Sequence, residues 1–276
     1  MKANVSEFYK KHFLGLSALF VLGNTVITAP KTNADQFNFL GFLVAGIISL
    51  AVYFLVYLLP FNRITAVMGC LLALFCIGDA GISFIRFIHN NLLPETKPFF
   101  IVLPFILVLT FIAFKTNEML FKFSVVSFLP VVAVILFFFF ATLKDFNIKN
   151  IFIYELPNLE VFYKQTLPYI KSIALPSALL AFFSKTSGFK KGVSVSGFAI
   201  GFVLLGITIL NSVLLFGIEF SGVLDYPYSS AGSTVTFGNL FTRMDGFLYF
   251  VYLASCIVKC GVGIFAIKKS RNKFVP

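Results

Sequence analysis

The sequence predicts an all-α integral membrane protein of about eight transmembrane helices, forming one domain over residues 1–276, and three observations predict it. Hydrophobic residues make up 59% of the chain and charged residues 12%, whereas a soluble domain carries roughly 25% charged residues. Eight apolar runs approach the length of about 20 residues that a helix needs to cross a hydrocarbon core. The Lys and Arg that set the net charge of +11 fall mostly between those runs. Orientation in a lipid bilayer accounts for them there, and nucleic acid is not an expected partner.

In chain order the expected spans are 12–30, 37–59, 64–89, 98–114, 121–142, 167–184, 194–217 and 243–267. The first run, Phe13 to Pro30, is interrupted near its middle by Gly23-Asn24-Thr25. Glycine adds backbone freedom and asparagine competes for backbone hydrogen bonds, so this triplet predicts a break. A Lys-containing stretch before an apolar run ending in Thr28-Ala29-Pro30 has the outline of a secretory signal. The length of the run and the seven spans after it favour a retained helix. Pro60 and Asn62-Arg63 punctuate the second turn, and Asn90-Asn91 with Pro94 the third.

Residues 143–166 read as the longest polar connection, and 218–242 as a Gly/Ser/Tyr-rich loop. The sixth span is short and carries Pro176, which removes a backbone donor and kinks a helix. Pro104 and Pro130 interrupt other spans. In the seventh, Gly197 and Gly201 have the spacing of a close helix–helix contact.

An even number of spans puts both termini on one side. The loops of that side hold Lys10, Lys11, Arg63, Lys115, Lys122, Lys185, Lys190, Lys191 and the Lys268–Lys273 cluster, so both ends are expected in the cytoplasm. Cys70 and Cys76 lie in one apolar run, Cys256 and Cys260 in another. With no histidine beside them they read as small core residues, and neither a metal nor a cofactor is expected. His12 and His89 fall at span ends. Nothing predicts catalysis: there is no nucleophile–base arrangement on loops and no phosphate-cradling glycine loop.

The candidate site is the break in span one. A broken membrane helix offers unpaired N–H groups to a carboxylate and free carbonyls to an ammonium group, as in secondary transporters. Gly23, Asn24 and Thr25 are its expected residues. Ala174, Pro176 and Ser177 are expected opposite them, at the corresponding place of a second, inverted half. Three charged residues lie inside spans, and each needs a partner or an aqueous route. They are Asp79 midway through span three, Arg86 seven residues on, and Lys259 in span eight. Lys259 is expected to tie its helix to the carbonyls freed around Gly23. Placed about 12 Å from the end of its span, it differs in depth from Asp79 by roughly 10 Å, which argues against a direct pair. Arg243 and Asp245 read as helix-start anchors.

The run GLSALFVLGNTVITAP with Asp35, the junction Lys115-Thr116-Asn117-Glu118-Met119 with Lys122, and Tyr226-Pro227 followed by Phe241-Thr242-Arg243-Met244-Asp245-Gly246-Phe247 and Lys259 occur in an informative order. Together they resemble GerAB-type spore germination permeases, distant relatives of amino acid–polyamine–organocation transporters. The resemblance implies a LeuT-like inverted-repeat bundle, here lacking the last two of ten helices. It implies a germinant-receptor subunit in the spore inner membrane that binds a small nutrient such as an amino acid. Its expected partners are a larger A subunit and a C-subunit lipoprotein. The alternatives are a working amino acid or ion transporter, and a scaffold subunit that binds nothing. The sequence departs from the family pattern at Phe37, where tryptophan is usual, and at Thr116, where glycine is frequent.

Overall fold

A computed structural model describes residues 13–28, 38–151, 159–235 and 244–271. Both termini, His12, Asp35, Phe37 and residues 241–243 lie outside the described residues. Among those described, every regular element is helical. They are α1 (Phe13–Leu22), α2 (Thr25–Thr28), α3 (Asn38–Leu58), α4 (Arg63–Asn91), α5 (Pro98–Phe114), α6 (Asn117–Thr142), α7 (Leu159–Tyr169), α8 (Leu175–Thr186), α9 (Lys191–Phe216), α10 (Ile218–Val223), α11 (Pro227–Thr234) and α12 (Asp245–Arg271). Six helical stretches are long and apolar enough to cross a membrane, and two of the expected eight, α1 and α5, are shorter apolar helices.

Two connections differ from expectation. The sixth span is not short: α7 begins at Leu159, and a π-helical turn, Ile170–Ala174, joins it to α8. The early start escapes a hydropathy reading because Glu160 and Lys164 lower the local apolarity. They pair at 2.7 Å across one helical turn, the spacing that supports a helix. The wide turn lies just before Pro176, whose ring would clash with the carbonyl four residues back in a regular α-helix. The proline is thus absorbed as a bulge and not a break. Within the loop expected at 218–242, the described residues 218–235 form two short helices, α10 and α11, with Pro227 at the first position of α11.

Lipid-soluble helices are apolar all round, so burial here sorts by size and polarity. The face of α4 carrying Ala66, Gly69, Ala73, Ala80 and Gly81 is buried, and α12 is its main neighbour. A Cβ on Gly263 of α12 would lie 2.7 Å from Ile77 and 3.3 Å from the Ala73 carbonyl. Small residues let these helices approach backbone to backbone. The Gly197/Gly201 pair does the same for α9 against α1: added Cβ atoms would lie 2.6 Å from the carbonyls of Leu14 and Ala18.

This close approach encloses α1, in which Leu16, Ala18, Leu19, Phe20 and Leu22 are fully buried. Its first residue, Phe13, stacks on Phe183 near the end of α8 and on Phe189, with centroids at 6.2 and 4.1 Å.

Lysines close two helix ends on one side of the bundle. Lys185 donates to the carbonyls of Tyr57, at 2.9 Å, and Leu59. Lys268 donates to those of Ala113 and Lys115. Cations at helix C-termini satisfy orphan carbonyls and oppose the negative end of the dipole.

Candidate functional site

The first span breaks where glycine and asparagine interrupt it. Gly23 and Asn24 form a turn between α1 and α2, and Gly23 has φ +36°, a region that L side chains rarely adopt. The hydroxyl of Thr25 reaches back to the carbonyls of Val21, at 2.7 Å, and Leu22. It satisfies acceptors that the interrupted helix exposes.

Asn24 is 1% exposed and its side chain joins two distant charges. Its amide donates to Asp79 Oδ2 at 2.7 Å and to Ser83 Oγ at 3.2 Å. Its carbonyl oxygen accepts from Lys259 Nζ. The ammonium group of Lys259, fully buried on α12, and the half-buried carboxylate of Asp79 on α4 thus share one neutral bridge. Burying a charge is costly unless it is hydrogen-bonded, and the bridge supplies a bond to each.

The expected depth mismatch between Asp79 and Lys259 is corrected by the helix ends. Because α12 runs on to Arg271, Lys259 is about 18 Å from its end, and Asp79 is about 24 Å from the start of α4. Asn24 spans what remains. Lys259 meets the break through this side chain and not through the backbone carbonyls that the sequence predicts.

The structure brings Gly23, Asn24, Asp79 and Lys259 together, with Thr25 beside them in the turn. Ser177 donates to the carbonyls of Ser49 and Ala174, at 2.9 and 2.7 Å, so its hydroxyl serves α3 and its own helix. Ala174 closes the π-helical turn, and Pro176 is buried at the start of α8. No hydrogen bond among the described residues links these three to the break. Arg86 is exposed, five residues from the end of α4, about 7 Å along the helix. Asp245 starts α12 and accepts from the Tyr249 hydroxyl at 2.8 Å. The cysteines are free thiols, three of them buried, and no group of His, Cys, Asp and Glu among the described residues could hold a metal ion.

Tyr252 and Ser255 precede Lys259 by seven and four residues, so the three share a helix face. The hydroxyls of Tyr252, Ser255 and Tyr228 of α11 are buried, and none finds a hydrogen-bond partner among the described residues. Buried polar groups are nearly always paired, so three orphans in one region call for an explanation. Phe87 packs edge-on against Tyr226, Tyr249 and Tyr252, with centroids at 5.0, 5.4 and 4.5 Å. The segment α2 lies against α4, α9 and α11, next to this aromatic group. The spacing Tyr252-x-x-Ser255-x-x-x-Lys259 is the sequence signal that would have found it.

No protein-family model matches this chain, and comparison with curated proteins gives no match.

Proposed function

We propose that this chain is a permease-like subunit that binds a small nutrient at the break between α1 and α2 and relays its occupancy to partner subunits. The observation that carries the reading is the Lys259–Asn24–Asp79 bridge at a broken first helix. A ligand able to compete for either charge would release Asn24 and with it the turn at Gly23. The unpartnered hydroxyls of Tyr228, Tyr252 and Ser255 offer hydrogen bonds to a carboxylate, and Asp79 offers an acceptor to an ammonium group. An amino acid carries both. Eight apolar helices, with irregular backbone in the first and sixth, fit a LeuT-like inverted repeat. With the sequence resemblance to GerAB-type permeases, that makes a germinant receptor the preferred setting. The proposed partners are its A subunit and C-subunit lipoprotein, in the cytoplasmic or spore inner membrane with both termini in the cytoplasm.

The scaffold reading has one specific point in its favour: the polar groups of Asn24 and Thr25 are already engaged within the chain. A thermal-shift screen of the purified protein against amino acids, sugars and nucleosides separates the two. A ligand at 100 times its Kd stabilises by about 2.7 kcal/mol. A shift that disappears in Asn24→Leu supports binding at the break, and no shift with any compound favours the scaffold. Uptake of the labelled ligand into vesicles then separates a sensor from a transporter.

A further inference from the structure

Helix α5 is held loosely, with only Ile101 and Phe105 of its residues buried. Two cavities flank it. One, of about 290 Å³, lies between α4, α5 and α12, against Phe84 and Phe105. The other, of about 180 Å³, lies between α5, α6 and α12, against Phe123 and Phe265. Both are lined by Val108 and Ile257, so they adjoin there, and together they follow α5 along most of its length. The walls are apolar except at one end of the second cavity, where Lys115 and Thr116 line it.

That end is also the basic end of the helices around it. Lys268, Lys269 and Arg271 fill the last turn of α12, and Lys268 is bonded to the Ala113 and Lys115 carbonyls. Glu118, the nearby acid, is paired with Lys122 at 2.9 Å. The Lys115 ammonium lies 4.8 Å from the Phe111 ring centre on an exposed side chain, and the Thr116 hydroxyl makes no capping bond to α6.

We propose that the two adjoining cavities form a binding groove for one anionic phospholipid, with an acyl chain along Val108 and Ile257 and the phosphate at Lys115 and Thr116. An apolar channel with cationic and hydroxyl groups at one mouth matches an amphiphile of that charge. A partner helix would need no charge at one end only. Basic pockets between membrane helices recognise anionic headgroups by the same chemistry.

The test is native mass spectrometry of the full chain, released from detergent with phosphatidylglycerol or phosphatidylcholine of identical chains. The expected result is retention of one lipid with preference for phosphatidylglycerol. That preference falls about fivefold in Lys115→Gln, the worth of one lysine near a headgroup. Lys191→Gln removes a charge over Phe54, away from the groove, and is expected to leave the preference intact. Val108→Trp fills the junction and is expected to reduce retention of both lipids. Equal retention of the two lipids, or an equal loss in Lys191→Gln, overturns the proposal. A lipid-free dimer overturns it in favour of a second copy in the groove.

Discussion

The aliphatic stem of Lys259 occupies the space that a side chain at position 23 would fill. A Cβ on Gly23 would lie 2.5 Å from Lys259 Cδ and 3.1 Å from the Phe20 carbonyl. Glycine is thus required twice at this point, by the positive φ of the turn and by the lysine that crosses it. The break in the first helix and the buried charge of the last are one structural unit, although they stand at opposite ends of the sequence.

Gly23→Ala is therefore expected to cost more than a positive φ alone. Gly188 also has positive φ but faces open space, so Gly188→Ala should cost about 1–2 kcal/mol. Gly23→Ala should add a packing cost of about 1–3 kcal/mol. Unfolding of the two variants in mixed micelles measures the difference, and equal costs would mean that Lys259 moves aside freely. The same clash makes a larger residue at position 23 a poor probe of ligand binding, since it disturbs folding and site together.

Lys259→Met leaves the Asn24 carbonyl oxygen without its donor and should destabilise the protein by about 1–3 kcal/mol. Asn24→Leu removes the bridge from both charges and should also destabilise it. Because the residues bond to one another, the double variant should lose less than the sum, with a coupling of about 0.5–3 kcal/mol. Additive losses in a double-mutant cycle would show that the bridge contributes nothing beyond packing.

Much of the fold was legible because lipid imposes one strong rule, that spanning backbone be helical and apolar. Each of the eight apolar runs contains a helix, and Asn62 caps α4 where punctuation was expected, accepting from Thr65 N at 2.9 Å. The break at Gly23 was legible because Gly-Asn-Thr is locally unfavourable in a helix. The bridge was not, because it depends on how far α12 extends and on which way a long lysine turns. Tyr228, Tyr252 and Ser255 escaped notice for a related reason: in helices apolar all round, no polar–apolar periodicity marks the inward face. Leu159 was missed as a helix start because hydropathy registers the Glu160–Lys164 pair as loop.

The contact between α9 and α1 gives a test that does not involve the charged site. Gly201→Ala would place a methyl group 2.6 Å from the Ala18 carbonyl and 2.9 Å from Val21 Cβ, backbone and stem atoms with little room to yield. A loss of about 1–3 kcal/mol is expected. Gly192, on the same helix, has nothing within 4 Å, so Gly192→Ala should be neutral or stabilising by up to about 1 kcal/mol. Equal effects in chemical unfolding would remove the close approach of these helices from the account.

Tyr252→Phe separates a ligand site from a packing defect, because the two give opposite signs. The phenolic hydroxyl of Tyr252 is buried without a partner among the described residues, a state that costs about 1–3 kcal/mol. Removing it while keeping the ring against Phe87 should raise the unfolding midpoint of the ligand-free protein. If that hydroxyl serves a ligand, the same variant should lose part of the ligand-induced shift. A protein that becomes more stable and less responsive in one substitution has kept an unpaired group for binding. A gain in stability with an unchanged response would exclude Tyr252 from the site, and a loss of stability would mean that its hydroxyl has a partner in the folded protein after all.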